Sequence, residues 1–474
     1  MNFLNRLGCL AVLLAAVTFA PASSFLSVTT DEQITQAGGV FRGTVLRNES
    51  FIEDGLIQTR TFLRVDETFK GKLPRIIKVV HSGGVVDGIG LQDGFSPQFK
   101  VGEERVLFVS RHKNGSLVAM NGVASSLPPD NGLLKHLRSK TTQTADDESD
   151  LTDQNGNPGV GSGESTLDGT GASSSATGLL ADAFNLSARF ITPDRSEPIP
   201  YLIDADALPT GMTLAQATNA VISALAAWTN VSSVKFQFAG FQSFGNAASL
   251  ISATDGKIRI QLHDSYNSIS GTNVLGTGGR YYFTNVLANA GWTLGGNVAG
   301  NDFHLSTCGF VVLKHTLVEM QNVTTFAEVL CHEIGHVLSL AHSSENANEA
   351  NNTLKQAMMY FTSHRDGRGA TLGTYDAPIL RQVHPTTNTP PFTYNRMIDA
   401  VSYPSTNTTV AGVNEIEVRA YDLQTTNLTV LLTNANFGVT NGTFSMVPGG
   451  NLKYKPKGYF GQTTRSDPAG NSFR

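Results

Sequence analysis

Thr325-Phe326-Ala327-Glu328-Val329-Leu330-Cys331-His332-Glu333-Ile334-Gly335-His336-Val337-Leu338-Ser339-Leu340-Ala341-His342 is the stretch on which the reading of this chain turns. Thr325 and Glu328 stand at capping-box spacing, which predicts that a helix opens there. His332 and His336, one turn apart, then share a face of that helix. Two imidazoles so placed can grip one metal ion, and His342, past the helix end, can return as a third nitrogen ligand. Glu333, next to the first histidine, is placed to take a proton from a water held by that ion. Three protein ligands leave a fourth position open, as catalytic sites require. Histidine and glutamate packed this tightly among Val329, Leu330, Val337 and Leu338 would otherwise be costly to bury.

These residues resemble the metzincins, and within them the matrixins, the family of the matrix metalloproteinases. The pattern is His-Glu-x-x-His-x-x-Gly-x-x-His followed by a methionine-containing turn, and Ala357-Met358-Met359-Tyr360-Phe361 is similar to that turn. The resemblance implies Met359 as a hydrophobic floor beneath the metal, a catalytic domain of roughly residues 185–386, and a closing helix from Asp376 to His384. Three departures stand out. Ser339 occupies the glycine position at the sharp turn before the third ligand, at a cost of about 1–2 kcal/mol if that residue is left-handed. His342 and Met359 are separated by more residues than is typical of matrixins. No cysteine is available N-terminal to the site for a latency switch, once a leader containing Cys9 is removed.

Three neutral imidazoles and an open site suit zinc, so one catalytic Zn2+ is expected. Zinc lowers the pKa of its bound water towards about 7, and Glu333 then acts as general base in attack on a peptide carbonyl. Structural calcium is common in the family, but no ligand motif for it is found here. His263, Asp264, His304 and His315 read as packed or solvated groups.

Outward from the motif, Thr213 and Gln216 form another capping box, opening a helix whose Leu214, Ala217, Val221, Leu225 and Trp228 recur at helical spacing. Strands are expected at Val234–Phe238, Ile258–Leu262 and Phe310–Leu313, with a Gly-rich stretch up to about Gly300. The fold class that follows is α+β: a metzincin-type catalytic domain at 179–386, with a mixed twisted sheet and long helices. It is flanked by an N-terminal small β-barrel-like domain (25–127), where Val40–Val45, Thr61–Val65, Ile76–Val80 and Arg105–Val109 read as strands, and by a C-terminal immunoglobulin- or fibronectin-like β sandwich (387–474). Residues 128–178 read as an acidic Ser/Gly-rich linker, since between Thr141 and Thr177 there is no aromatic, Lys, Arg or His residue. On so flexible a tether the N-terminal module has no fixed approach to the cleft, and it is expected to recruit substrate or partners rather than to inhibit.

The 474 residues carry a net charge of −5, too mildly acidic for a phosphate-binding footprint, so nucleic acid is not an expected partner. Residues 1–22 read as a secretory signal: Arg6 opens it, Leu7 to Ala20 form a short apolar run, and Ala20-Pro21-Ala22 is a small-residue cleavage site. That run is too short to span a bilayer, so the mature chain is expected to be extracellular. Cys308 and Cys331 then remain, and are expected to pair as a disulfide, with free buried thiols as the alternative. Two functions stay open on sequence: a secreted zinc endopeptidase acting on proteins or peptides, and an extracellular binding or adhesion protein whose protease fold has lost activity. The intact His332, Glu333, His336, His342 and Met359 favour the first.

Overall fold

The computed structural model describes residues 28–112, 115–141 and 178–180, then 186–390 apart from 207, 210, 270–272, 285–294, 315 and 388, and beyond these only strands between 392 and 473. The leader and the stretch 142–177 lie outside the described residues.

The N-terminal module begins with helix α1 (Thr30–Gln36), followed by β1 (Gly39–Glu53), β2 (Leu56–Lys70), β3 (Ile76–Ser82), β4 (Gly84–Val86), β5 (Ile89–Asp93), β6 (Glu104–Arg111), β7 (Leu117–Ala119), β8 (Ser126–Leu127) and helix α2 (Asn131–Thr141). Because β1 pairs with both β2 and β6, the order β1-β2-β3-β7-β6 closes into a ring. Alternation does the rest: Phe41, Leu63, Leu107 and Val109 fill the inside, while Val40, Val106 and Phe108 point outward against Leu134 and Leu137 of α2. Residues 131–141 are therefore a packed helix, where the sequence suggested linker. The reason is visible in those two leucines, which the polar composition around them obscures.

The second difference concerns β4 and β5. Two hairpins of this module, β1–β2 and β4–β5, turn on Asp-Gly pairs, Asp54-Gly55 and Asp87-Gly88, with positive φ at all four residues, as tight two-residue hairpins demand. The first hairpin stays in the barrel. The second leaves it, through Gly83 and Gly84 at φ +92° and +126°, and joins another sheet. The module is thus not a free body on a tether.

That other sheet belongs to the central unit: β9 (Ser187–Arg189), β10 (Ile199–Asp204), α3 (Leu214–Thr229), β11 (Phe236–Gln242), β12 (Ile258–Gln261), β13 (Gly276–Phe283), β14 (Asn297–Val298), β15 (Asn301–Leu313), α4 (Val323–Val337), α5 (Asn352–Lys355) and α6 (Asp376–Val383). Its order is β11-β10-β12-β15-β13-β5-β4. The first four strands are parallel, β13 runs antiparallel to β15, and β5 runs antiparallel to β13. Thr213 and Gln216 cap α3 reciprocally, and Ala217, Val221, Leu225 and Trp228 are buried, whereas Leu214 in its first turn is exposed. Helices α3 and α4 pack together over the sheet around Trp228, Phe326, Val329, Leu330 and Ile334.

In the C-terminal region the described strands are β16 (Phe392–Thr393), β17 (Arg396–Asp399), β18 (Ile416–Val418), β19 (Ala420–Tyr421), β20 (Gly442–Met446), β21 (Leu452–Pro456) and β22 (Gly470–Phe473). They pair as β16-β19, β17-β22 and β18-β21-β20, all antiparallel. Among the described residues no helix is long and apolar enough to cross a membrane.

Candidate metal centre

Helix α4 carries the site, but it does not start where its sequence suggests. Asn322 is the N-cap, accepting the N–H groups of Thr324 and Thr325. Glu328 is thereby released from capping, and its buried carboxylate instead takes the backbone N–H groups of His364 and Arg365 and lies 3.0 Å from His364 Nδ1. The Asn side chain reaches two N–H groups where Thr325 would reach one, which settles the competition between caps.

His332, His336 and His342 converge, each offering a nitrogen, with these atoms within 4.8 Å of one another. Two of the rings are oriented by backbone carbonyls: His332 Nδ1 lies 2.7 Å from the Met358 oxygen and His336 Nδ1 2.8 Å from the Leu340 oxygen. A carbonyl only accepts, so each Nδ1 carries the proton and each Nε2 is left bare. The two Nε2 atoms face each other at 3.0 Å. Two lone pairs aimed together inside the protein suit a shared cation, and the separation is close to what a tetrahedral ion about 2.0–2.1 Å from each nitrogen requires. Burial holds the His332 ring down to about 3, and the neighbouring His342 charge pushes the same way. His336 is driven down by burial and then by His332 and His342. All this favours neutral imidazole, the ligand form.

Glu333 is buried between α4 and β13. Its Oε1 has no hydrogen-bond partner in the protein, while the Gly278 N–H bonds its carboxylate. Burial raises its pKa well above the usual carboxylate range, and the negative charge of Asp93 adds to the rise. A carboxyl so tuned, with one oxygen turned to no protein group, fits the part of a proton carrier. The glycines of β13 make this closeness feasible: a Cβ on Gly278 would lie 2.2 Å from the Glu333 carbonyl oxygen, and one on Gly276 would lie 3.1 Å from Glu333 Cγ.

Ser339 closes the turn after the helix at φ +91°, a left-handed conformation usually left to glycine. Its hydroxyl donates to the Ala188 carbonyl, and its own carbonyl accepts the N–H of Leu180 at 2.8 Å. The chain at 178–180 is laid along this turn, with Leu179 bridging Leu340. The insertion between His342 and Met359 folds back on the site: Ser343 N–H bonds the Met359 carbonyl at 2.8 Å and Tyr360 Oη donates to the Asn346 carbonyl at 2.7 Å. Met359 is fully buried below α4, so close that a Cβ on Gly335 would sit 2.3 Å from its sulfur. Asp376 at the start of α6 accepts the N–H groups of Met358, Met359 and Gly373. Sequence reading gave Gly335 and Arg280 no role and Asp376 only the start of the closing helix; what they do depends on contacts between distant segments.

Cys308 and Cys331 do not form the expected disulfide; both are free and buried. Cys331 faces the α3–α4 core, while Cys308 lies in another cluster, its sulfur between the Ala253 N–H and the Ile251 carbonyl. Nearness of Cys331 to a ligand in sequence said nothing about which way its side chain points on the helix. Of the remaining histidines, His304 stacks on Tyr282 with ring centroids 5.1 Å apart, and the Asp264 carboxylate accepts from Ser268 and Ile269, ordering a turn. His315 lies outside the described residues.

Residues 195–371 match the matrixin family model. This segment is matrixin-like. The matched range spans α3, α4, all three histidines and the methionine turn. Among solved structures, myroilysin matches at 13% identity, over 40% of this chain and 93% of its own, with a TM-score of 0.20. Metalloproteinase-II from Bacteroides fragilis matches at 11% identity, over 71% of this chain and 91% of its own, with a TM-score of 0.24. No curated protein matches the chain. In this matrixin-like unit the zinc expected from the family finds a donor set that fits it: three convergent imidazoles, two of them with fixed tautomers, over a buried thioether floor.

The expectation that the N-terminal module has no fixed approach to the cleft is not met. Residues 89–93 of that module lie along β13 at the metal centre, and Gly94 comes so close to His336 that a Cβ there would lie 2.1 Å from Nε2.

Proposed function

We propose that this chain is a zinc-dependent endopeptidase that is exported and hydrolyses peptide bonds in proteins or peptides. The observation that carries the reading is the convergence of His332, His336 and His342 around one point, with the unpaired Oε1 of Glu333 buried beside it. His332, His336 and His342 would hold the ion, which when bound supplies a Lewis acid for the scissile carbonyl and makes water acidic enough to deprotonate near neutrality. Glu333 accepts the proton from the attacking water and delivers it to the leaving amine. Its raised pKa favours the first of these transfers, acceptance of the proton. Strand β13 supports the same reading, because if β5 were displaced it would become an edge to which an extended peptide could add by backbone hydrogen bonds and so be laid across the site. Export is supported by the short apolar segment near the N-terminus and its small-residue end.

The test is a paired measurement of metal content and cleavage of a quenched peptide library, before and after chelation and on Glu333→Ala. The reading expects one zinc per chain, activity lost with the metal and restored by zinc, and a Glu333→Ala protein that keeps metal without turnover. Cleavage by the Glu333→Ala protein at near the parent rate would remove Glu333 from the role. Absence of zinc from purified chain, with no cleavage after zinc is added to it or to its limited-proteolysis products, would overturn the reading.

A further inference from the structure

The edge of a sheet is where an extended peptide binds, and in this chain that edge is already taken. Without the N-terminal module the central sheet would end at β13; with it, β5 pairs antiparallel along β13, matching Ile89 to Phe283, Leu91 to Tyr281 and Asp93 to Gly279. The pairing continues one residue further, with the Gly94 N–H on the Gly278 carbonyl at 3.0 Å. Gly278 is the residue whose N–H bonds Glu333, so the inserted strand ends at the metal centre itself.

Side chains lock the strand in place. Arg280, wholly buried, donates to Gln92 Oε1 at 2.7 Å from one nitrogen and to the His336 carbonyl at 2.8 Å from another. One guanidinium thus joins the inserted strand to the metal-binding helix. Fit is close at both ends: a Cβ on Gly90 would lie 2.0 Å from the Tyr282 ring, and one on Gly94 would overlap the His336 ring. Asp93 then turns the chain away, its Oδ1 taking the N–H groups of Phe95 and Ser96 at 3.1 and 2.7 Å. The Val123 N–H holds the Phe95 carbonyl at 2.8 Å, which fixes the departing segment to the barrel.

We propose that residues 89–94 act as an internal blocking strand, occupying the peptide-binding edge and covering the metal centre, so that the N-terminal barrel is a cis-acting inhibitory domain. This rests on the peptidase reading above. It supplies a restraint that needs no cysteine: backbone pairing on β13 gives position, Arg280 gives the lock, and glycine at 94 lets the main chain lie on His336 where a side chain would be expelled. A substrate reaches β13 only after the strand is cut or displaced.

The experiment uses the full chain and three single variants. Gly90→Val and Gly94→Val set a side chain against Tyr282 and His336; Gln92→Ala removes the bond to Arg280 without adding bulk and covers the case in which a valine variant fails to fold. Hydrogen exchange read by mass spectrometry on residues 276–283, together with cleavage of a quenched peptide at saturating zinc, gives two independent readouts. The proposal expects exchange of the β13 amides facing β5 to quicken at least tenfold in a folded variant, and peptide cleavage to rise at least tenfold over the parent chain. Parent and variants cleaving at equal rates, with β13 exchange unchanged, would overturn the blocking strand and leave the peptidase reading standing. Quickened exchange with no cleavage by any variant would support the docked strand and overturn the peptidase reading instead.

Discussion

The carboxylate of Asp376 accepts the backbone N–H of Met358 at 2.8 Å, and the carbonyl of the same Met358 takes the Nδ1 proton of His332. The first of the three proposed metal ligands is therefore oriented from α6 through one residue of the methionine turn. Asp376 also takes the N–H groups of Met359 and Gly373. Asp376→Ala leaves three donors without their acceptor, two of them buried, at about 1–3 kcal/mol each before relaxation, so a loss of roughly 3 kcal/mol is expected. Outer contacts of this kind typically change metal affinity about 10–100-fold. Urea unfolding of the zinc-free protein and a competitive zinc titration measure the two effects separately. An unchanged zinc affinity would show that the Met358 carbonyl does not need this anchor.

Glu333 combines full burial with an unpartnered oxygen, an arrangement that favours chemistry over stability. Glu333→Gln removes the cost of burying a charge while keeping the shape. Zinc-free protein carrying it is expected to be at least as stable as the parent, with peptide turnover lower by about 10²–10⁴-fold, the usual worth of a general base. Thermal unfolding after chelation and steady-state cleavage after zinc is restored test both halves. A destabilised variant would mean that the carboxylate is held by bonds the amide cannot replace.

How far the sequence reveals this protein depends on whether the information is local. The candidate metal ligands on α4 are legible because helical periodicity alone puts His332 and His336 on one face. The cap of α3 is legible for the same reason. Strand β13 is not: Gly276-Thr277-Gly278-Gly279 reads as loop, since glycine disfavours strands, yet those glycines are what let α4 pass against the sheet. Neither is the fate of β5. Its residues alternate like those of its neighbours, and nothing local distinguishes a strand that stays in the barrel from one that crosses to another sheet. The free thiols and the true cap of α4 were hidden likewise, the first by side-chain direction and the second by a competition between Asn322 and Thr325.

At Ser339 two effects oppose each other. The left-handed backbone costs about 1–2 kcal/mol relative to glycine, and the hydroxyl bond to the Ala188 carbonyl returns roughly 0.5–1.5 kcal/mol. Ser339→Gly is thus expected to leave stability within about 1 kcal/mol of the parent. Ser339→Ala keeps the strain and loses the bond, so it should be the weaker protein by about 1 kcal/mol or more. Urea midpoints for the pair decide it, and an alanine variant as stable as the glycine variant would show that the hydroxyl bond contributes nothing.

Two buried thiols replace the disulfide that the sequence suggested. Burial raises the pKa of both, Cys331 the more strongly, so neither should react in the folded chain. Unfolding in denaturant without reductant should expose both to a thiol reagent at once. Peptide mapping that finds Cys308 linked to Cys331 would contradict the structure.

His81 gives the barrel a pH dependence. The half-buried ring packs edge-on beside Phe99, with Thr61 Oγ1 3.1 Å from Nε2 and the Ser82 carbonyl 2.9 Å from Nδ1. Burial lowers its pKa below the ordinary 6.5, against smaller opposing effects of the Ser82 bond and the Asp93 charge. Below about pH 6.5 the unfolded chain therefore takes up a proton that the folded chain refuses, and stability falls as the pH drops, by at most about 1.4 kcal/mol per pH unit for this one group. Above pH 6.5 both states are neutral at this site and the contribution is constant. His81→Gln, which retains polar contacts but cannot titrate, should flatten that part of the slope. Pulse-labelled hydrogen exchange of β1 to β3 across a urea series, from about pH 7.5 to about pH 5.5, isolates the barrel from the rest of the chain. If parent and variant lose barrel stability equally on acidification, the dependence belongs to other groups and His81 is not the one that burial keeps neutral.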